Sequence, residues 1–200
     1  IEHGEVFVLN DGMECDQDLG NYERFLDQSL NKTNYITTGQ VFKAVIERER
    51  ELGYEGKTVE FFQDPPREII DRILNCAKVS KAEIILLEVG GTVGEYQNML
   101  YLEANRLLKL KYPRDVLHVH LTYLPIPSSI GEMKSKPAQM SILQLASSGI
   151  HADFVLARSS FAVDDKRREK IAISCGIEPE NIISAPDVEN IYQIPLNFEN

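Results

Sequence analysis

Three groups of side chains in this sequence have types and spacings that chemistry could use. In Gly131-Glu132-Met133-Lys134-Ser135-Lys136-Pro137-Ala138-Gln139, two lysines stand two residues apart at the start of a proline-led helix. Ammonium groups beside the N–H groups of a helix start attract a polyphosphate, whereas two solvated surface lysines are the plain alternative. Glu88 closes an apolar run just before Gly90-Gly91, where the missing Cβ lets backbone approach a ligand closely. A carboxylate so placed suits Mg2+ bridging nucleotide phosphates, since Mg2+ takes one or two protein carboxylates plus phosphate oxygens. A strand-end Glu that faces solvent or pairs with Arg is the other reading. His118 and His120 would share one strand face, but no Cys or third His has a supporting spacing, which favours packed or hydrogen-bonding histidines over a metal pair. A serine nucleophile has no GxSxG elbow to sit on.

The elements that would position these groups alternate between β-branched runs and amphipathic stretches, the pattern of a parallel sheet flanked by helices. Val6 to Leu9 reads as a weak strand, and Thr38 as the N-cap of a helix carrying Phe42, Val45 and Ile46. Thr58 to Phe62 reads as a strand, and Pro65-Pro66 opens a helix through Ile69, Ile70, Ile73 and Leu74. Glu83 to Glu88, the most hydrophobic run, predicts a central strand covered on both faces. After the Gly90 to Gly94 turn, Leu100, Ala104, Leu107 and Leu108 mark a long helix. Val116 to Leu124, Phe154 to Ala157 and Ile182-Ile183 supply three more strands, separated by helices near Pro137 to Ser147 and Lys166 to Cys175. Ligands of such open sheets bind beyond the carboxyl ends of strands, so the segments after Glu88 and after Leu124 are the places to look.

Composition narrows the partners. The chain has 200 residues, 43% hydrophobic and 26% charged, which fits one domain with a sizeable core. A net charge of -10 argues against nucleic acid and anionic membranes as partners, so any phosphate must meet local basic residues. Cys15, Cys76 and Cys175 lie too far apart for a zinc motif or a disulfide framework and fit a reducing, cytoplasmic setting. No apolar run reaches the roughly 20 residues of a membrane span. With no initiator Met, the chain reads as a segment that begins inside a fold.

Particular residues in a fixed order then resemble one family. His3-Gly4-Glu5-Val6-Phe7-Val8 and Asp16-Gln17-Asp18-Leu19-Gly20-Asn21-Tyr22-Glu23-Arg24-Phe25 are similar to the signature that CTP synthases carry just after their P-loop segment. Ile36-Thr37-Thr38-Gly39, Glu88 to Gly94, Lys134 to Gln139, Lys170 to Cys175 and Asp187 to Pro195 continue the match in order.

The resemblance implies an α/β domain of the P-loop, dethiobiotin-synthetase-like type, incomplete at its N-terminus, with residues 1–200 forming a single partial synthase domain. It also implies ATP-dependent amination of UTP to CTP, ammonia supplied by a glutaminase domain outside these residues, and a homotetramer. By resemblance, Asp18 and Glu88 hold Mg2+, and Lys134 and Lys136 act on the substrate. Glu95, Gln97, Lys134, Lys136, Gln139 and Lys170 contact UTP or CTP, while Asp18, Asp187 and Val188 contact ATP. Glu103 and Arg106 share a helix that could join the site.

The departures are specific. Glu95-Tyr96-Gln97 stands where the family reads Asp-Ile-Glu, and Gln63-Asp64-Pro65-Pro66 replaces Pro-His-Ile-Thr, removing a histidine tied to ammonia handling and GTP activation. Ser135 and Ala138 stand in place of threonines. No GxxxxGK loop occurs, so these 200 residues alone are expected to be a poor ATPase and not to make CTP. The rival reading is a non-catalytic pyrimidine-nucleotide-binding or assembly module derived from the same family.

Overall fold

The computed structural model describes residues 6–198, so His3, Gly4 and Glu5 lie outside the described residues. The chain divides into two compact units, Ile1–Glu88 and Val89–Asn200. In the first, strand β1 (Val6–Val8) pairs antiparallel with β2 (Glu14–Asp16), and helix α1 (Gln17–Leu26) follows. Leu9, Cys15 and Leu19 form a small core there. The sequence predicts only the first of these elements.

Helices α2 (Thr38–Arg50) and α3 (Asp64–Ser80) pack on each other and bury Val41, Val45, Ile69 and Ile73. The N-cap of α2 is Thr37, one residue before the expected Thr38: its hydroxyl accepts from the Gln40 N–H, and Gln40 answers in a capping box. Between the helices, buried Glu68 accepts from Arg48 at 2.7 Å and from Arg72 at 2.9 Å, which compensates the charge carried inside.

Two predicted strands of this unit do not form. At Thr58 to Phe62, Asp64 Oδ2 accepts from the Glu60 N–H at 2.7 Å, so the chain turns into α3. Phe61 there stacks on Phe42 with ring centroids 5.9 Å apart. Local capping and aromatic packing outweigh β propensity in so short a run. Residues 83–88 have no ladder partner among the described residues, and Ile84 and Leu86 are 79% and 88% exposed. An apolar run favours burial but cannot by itself supply the neighbouring strand that a parallel ladder requires.

The second unit follows the expected alternation. Helix α4 (Met99–Lys111) leads to β3 (Val119–Tyr123), α5 (Lys136–Ser147), β4 (Phe154–Ser159), α6 (Asp165–Cys175) and β5 (Ile182–Pro186). The strands form a parallel sheet in the order β3-β4-β5, with Val119 opposite Phe154 and Val155 opposite Ile182. Its core joins Leu124, Met133, Ala138 and Ile142 to Val155, Ala157, Ile171 and Ile182. Ladders and flanking helices make this an α/β fold with a parallel sheet, as the alternation predicts.

Helix boundaries have local causes. Asp164 caps α6 by accepting from the Arg167 N–H at 2.9 Å, and Gly176 ends it at φ 66°, a left-handed turn suited to glycine. Pro137 lies in the first turn of α5, where its missing N–H costs nothing. No helix among the described residues is long and apolar enough to cross a membrane.

His120 lies on β3 and His118 just before it, and both are packed. His120 Nε2 lies 2.8 Å from Ser141 Oγ, while the Nε2 atom of His118 is buried with no hydrogen-bond partner. Burial holds both imidazoles below their ordinary value of 6.5, and at His118 the nearby Asp153 charge opposes that shift while Lys109 adds to it. The native state therefore binds fewer protons than the unfolded chain just below pH 6.5, so stability is full above that pH and declines as acid is added. Urea unfolding of His120→Asn between pH 7 and pH 5 is expected to show a shallower loss than the parent chain; equal slopes would remove His120 from the effect.

Candidate functional site

Three of the expected segments meet at the carboxyl end of the parallel sheet. Past β3, the Leu124 N–H donates to the Arg158 carbonyl at 2.8 Å, and the buried Ser159 hydroxyl donates to the Leu124 carbonyl at 2.7 Å. The loop then folds back: the Gly131 N–H donates to Pro127 O at 2.8 Å, and the Lys134 N–H to Pro125 O at 2.9 Å. Buried Met133 anchors it in the core. Lys134 thus stands on a closed loop at the strand end rather than on a free one.

Ser135 and Lys136 begin α5, and Ser135 gives no side-chain cap to the helix N–H groups. Lys136 is exposed, whereas Gln139 is 7% exposed and turns its amide inward to donate to Ser135 Oγ at 3.2 Å. Gln139 therefore braces the helix start that carries the lysines. Lys134 is not solitary: its ammonium donates to Glu132 Oε2 at 2.7 Å. Lys170 lies exposed on α6, one turn beyond Arg167. Arg167 reaches back to this loop, with Nε donating to the Met133 carbonyl at 2.8 Å.

The Gly90 to Gly94 turn belongs to the same unit. Gly91 has φ 84°, a left-handed conformation that favours glycine, and a Cβ there would fall 2.7 Å from Asn98 Nδ2 and 2.9 Å from Glu95 Oε2, so those side-chain ends would have to shift. Buried Asn98 donates to the Thr92 carbonyl at 3.1 Å and closes the turn. Gln97 Nε2 donates to Glu95 Oε2 at 2.7 Å, so these two candidate nucleotide contacts form one amide–carboxylate pair. Glu103 and Arg106 bind each other through two contacts of 2.7 and 2.8 Å.

Asp187 follows β5, and its N–H donates to the Ser159 carbonyl at 3.0 Å. Its carboxylate lies 3.6 Å from Arg158. Both residues line a recess of about 420 Å³ with Leu121, Thr122 and Tyr123 at the ends of β3 and β4. Val188, its neighbour, is half-buried.

The first unit holds the acidic pair. Glu88 is solvent-exposed, yet partial desolvation, then the negative charges of Asp18 and Asp16, push its carboxyl above the usual range. Tyr35 donates its hydroxyl to Asp16 Oδ2 at 3.0 Å, and burial followed by that hydrogen bond pushes the phenol up to about 12. Among the described residues no group of three or more His, Cys, Asp and Glu side chains gathers as a metal cage. Two carboxylates whose charges repel would nonetheless suit Mg2+, a hard cation that takes one or two protein carboxylates.

Comparison with known proteins agrees with the order of these motifs. The family model described as CTP synthase N-terminus matches residues 1–200. The chain belongs to this CTP synthase N-terminal family. A Campylobacter jejuni protein (strain 81-176) named CTP synthase is 46% identical over 199 residues, covering 99% of this chain and 36% of that protein. Proteins with the same name from Methanococcus maripaludis and Herpetosiphon aurantiacus are 44% and 43% identical. The M. maripaludis match covers 100% of this chain, the H. aurantiacus match 99%, and each covers 37% of the relative. The chain thus spans little more than a third of the length of the CTP synthases it matches.

Within this CTP synthase N-terminal fold, Glu132 and Arg167 are the charged residues at the junction of the lysine loop and α6 that sequence reading passes over. Glu132 sits inside the lysine motif itself, and Arg167 precedes Lys170 by three residues on a helix. Those spacings were the available signal, but only the folded loop brings the two side chains together.

Proposed function

We propose that this domain binds a pyrimidine nucleoside triphosphate at the carboxyl end of its parallel sheet, and that in the full-length protein it carries out ATP-dependent amination of UTP to CTP. The observation that carries this reading is the closed loop that delivers Lys134 and Lys136 to the uncapped start of α5. Two ammonium groups and the helix N–H groups there offset polyphosphate charge in a chain whose net charge is -10. Family membership supplies the substrate class.

Roles follow from position. Lys134, Lys136 and Lys170 supply cationic contacts to UTP, with Gln139 bracing the helix start. Glu95 and Gln97 offer an acceptor and an amide to ribose or base edges. Asp187 lines the recess that would receive the adenine of ATP, with Val188 next to it in the chain. Asp18 and Glu88 would hold Mg2+, which when bound offsets the charge on the nucleotide phosphates. Glutamine-derived ammonia, a separate glutaminase domain, a homotetramer and a cytoplasmic setting belong to the same reading. The 200 residues by themselves are expected to bind nucleotide without turning it over, because phosphoryl transfer depends on backbone N–H groups and a lysine cradling the ATP phosphates.

The Gln97 amide gives a test of the reading. A carboxylate accepts a ribose hydroxyl more strongly than an amide does. CTP inhibition of UTP amination by the full-length protein is therefore expected to be weaker in the parent than in Gln97→Glu. Equal inhibition constants would remove this position from nucleotide sensing, and absence of UTP binding altogether would reject the proposed function.

A further inference from the structure

The ammonium of Lys134 already holds an anion. Glu132 Oε2 accepts from it at 2.7 Å, while Arg167 Nη2 donates to Glu132 Oε1 at 3.3 Å. The Lys134 hydrogen bond, followed by the charges of Lys134, Arg167 and Lys170, keeps the Glu132 carboxyl below the usual range. Two cations therefore hold one carboxylate, and the charge of Lys170, one helical turn beyond Arg167, adds to their field. That side chain is 58% exposed and projects between Gly131, at φ 65°, and the buried anchor Met133. It can swing outward while the loop stays in place. Arg167 is fixed independently, by Met133 O at 2.8 Å and by its pairing with Asp164.

We propose that Arg167 is an additional cation of the phosphate site and that Glu132 is an internal stand-in for a phosphate oxygen, displaced when a nucleotide polyphosphate binds. The inference rests on the reading that Lys134 and Lys136 receive a pyrimidine nucleoside triphosphate. Its physical basis is competition. Without ligand, Lys134, Arg167 and Lys170 would repel one another, and the Glu132 carboxylate offsets that repulsion. A ligand must carry more charge than one carboxylate to displace it. A triphosphate does so readily and a monophosphate poorly, so Glu132 makes the site selective by opposing the weaker anion.

The experiment uses the full-length protein, with calorimetric titration of UTP, UMP and inorganic tripolyphosphate into the parent, Glu132→Gln, Arg167→Ala and Arg167→Lys. Glu132→Gln keeps the shape and removes the charge, so it is expected to tighten UTP by about fivefold to tenfold and UMP by more, narrowing the preference between them. Arg167→Ala is expected to weaken UTP and tripolyphosphate by about tenfold, and Arg167→Lys to recover part of the loss if the alanine variant folds poorly. A purely structural Glu132 predicts the opposite sign, so weaker or unchanged binding in Glu132→Gln would overturn the proposal. Unchanged affinity in both Arg167 variants would exclude Arg167 from the site. If the parent fails to bind UTP but tripolyphosphate still tightens in Glu132→Gln, the oxyanion site stands and the pyrimidine reading falls.

Discussion

Glu88→Gln is expected to lower CTP formation by the full-length protein at least about a hundredfold, the scale seen when one electrostatic stabiliser of a transition state is lost. The substitution keeps the shape of the side chain and removes one of two carboxylates that repel each other in the first unit. That repulsion is what a divalent cation relieves, so the variant should also need more Mg2+ for half-maximal rate. UTP binding measured without Mg2+ should be unchanged, because Glu88 is expected to act on phosphate only through the cation. Parent-like turnover and parent-like Mg2+ dependence would remove Glu88 from the site.

The second large effect belongs to the lysines. Lys134→Ala and Lys136→Ala should each weaken UTP binding at least about tenfold, since a charge-assisted contact contributes roughly 1.5 to 3 kcal/mol. Lys134→Ala has an added consequence, because Glu132 then loses its 2.7 Å partner and, opposed only by Arg167 and Lys170, leaves more of its negative charge facing the phosphates. Its loss should therefore exceed that of Lys136→Ala, since Lys136 is exposed and holds no carboxylate in an ion pair among the described residues. Calorimetry of the two variants and the parent checks the order. Unchanged affinity in both would take these lysines out of the nucleotide site.

Much of the second unit is legible in the sequence because its signals are local. The strand at Val119–Tyr123, the proline-led α5 and the Gly176 stop of α6 each follow from residues within a few positions. The first unit is read less well, for a physical reason. Whether residues 83–88 form a strand depends on a partner far along the chain, and hydrophobicity alone cannot name one. The Thr58 to Phe62 run has strand-like residues but forms no strand, because the Asp64 carboxylate captures the Glu60 N–H, a side-chain contact that competes with any ladder.

The site divides along the same line. Lys134, Lys136, Glu88 and the glycine turn announce themselves by residue type and spacing. The inward turn of Gln139 and the Gln97–Glu95 pair depend on how the folded backbone aims each side chain, and the meeting of Lys134 and Arg167 at Glu132 arises from tertiary packing of the loop against α6. Helical spacing puts Arg167 and Lys170 on one side of α6, but only the Met133 anchor brings the lysine loop to them.

The most direct test of the central claim is the product formed by the full-length protein when UTP, Mg-ATP and ammonia are supplied together. Ammonia added directly makes the assay independent of any glutaminase step. The expected result is CTP formation that requires ATP and falls sharply in the Lys134→Ala, Lys136→Ala double variant. ATP-independent CTP formation, or no CTP at all while UTP binds through those lysines, would contradict the proposed amination and leave a nucleotide-binding module in its place.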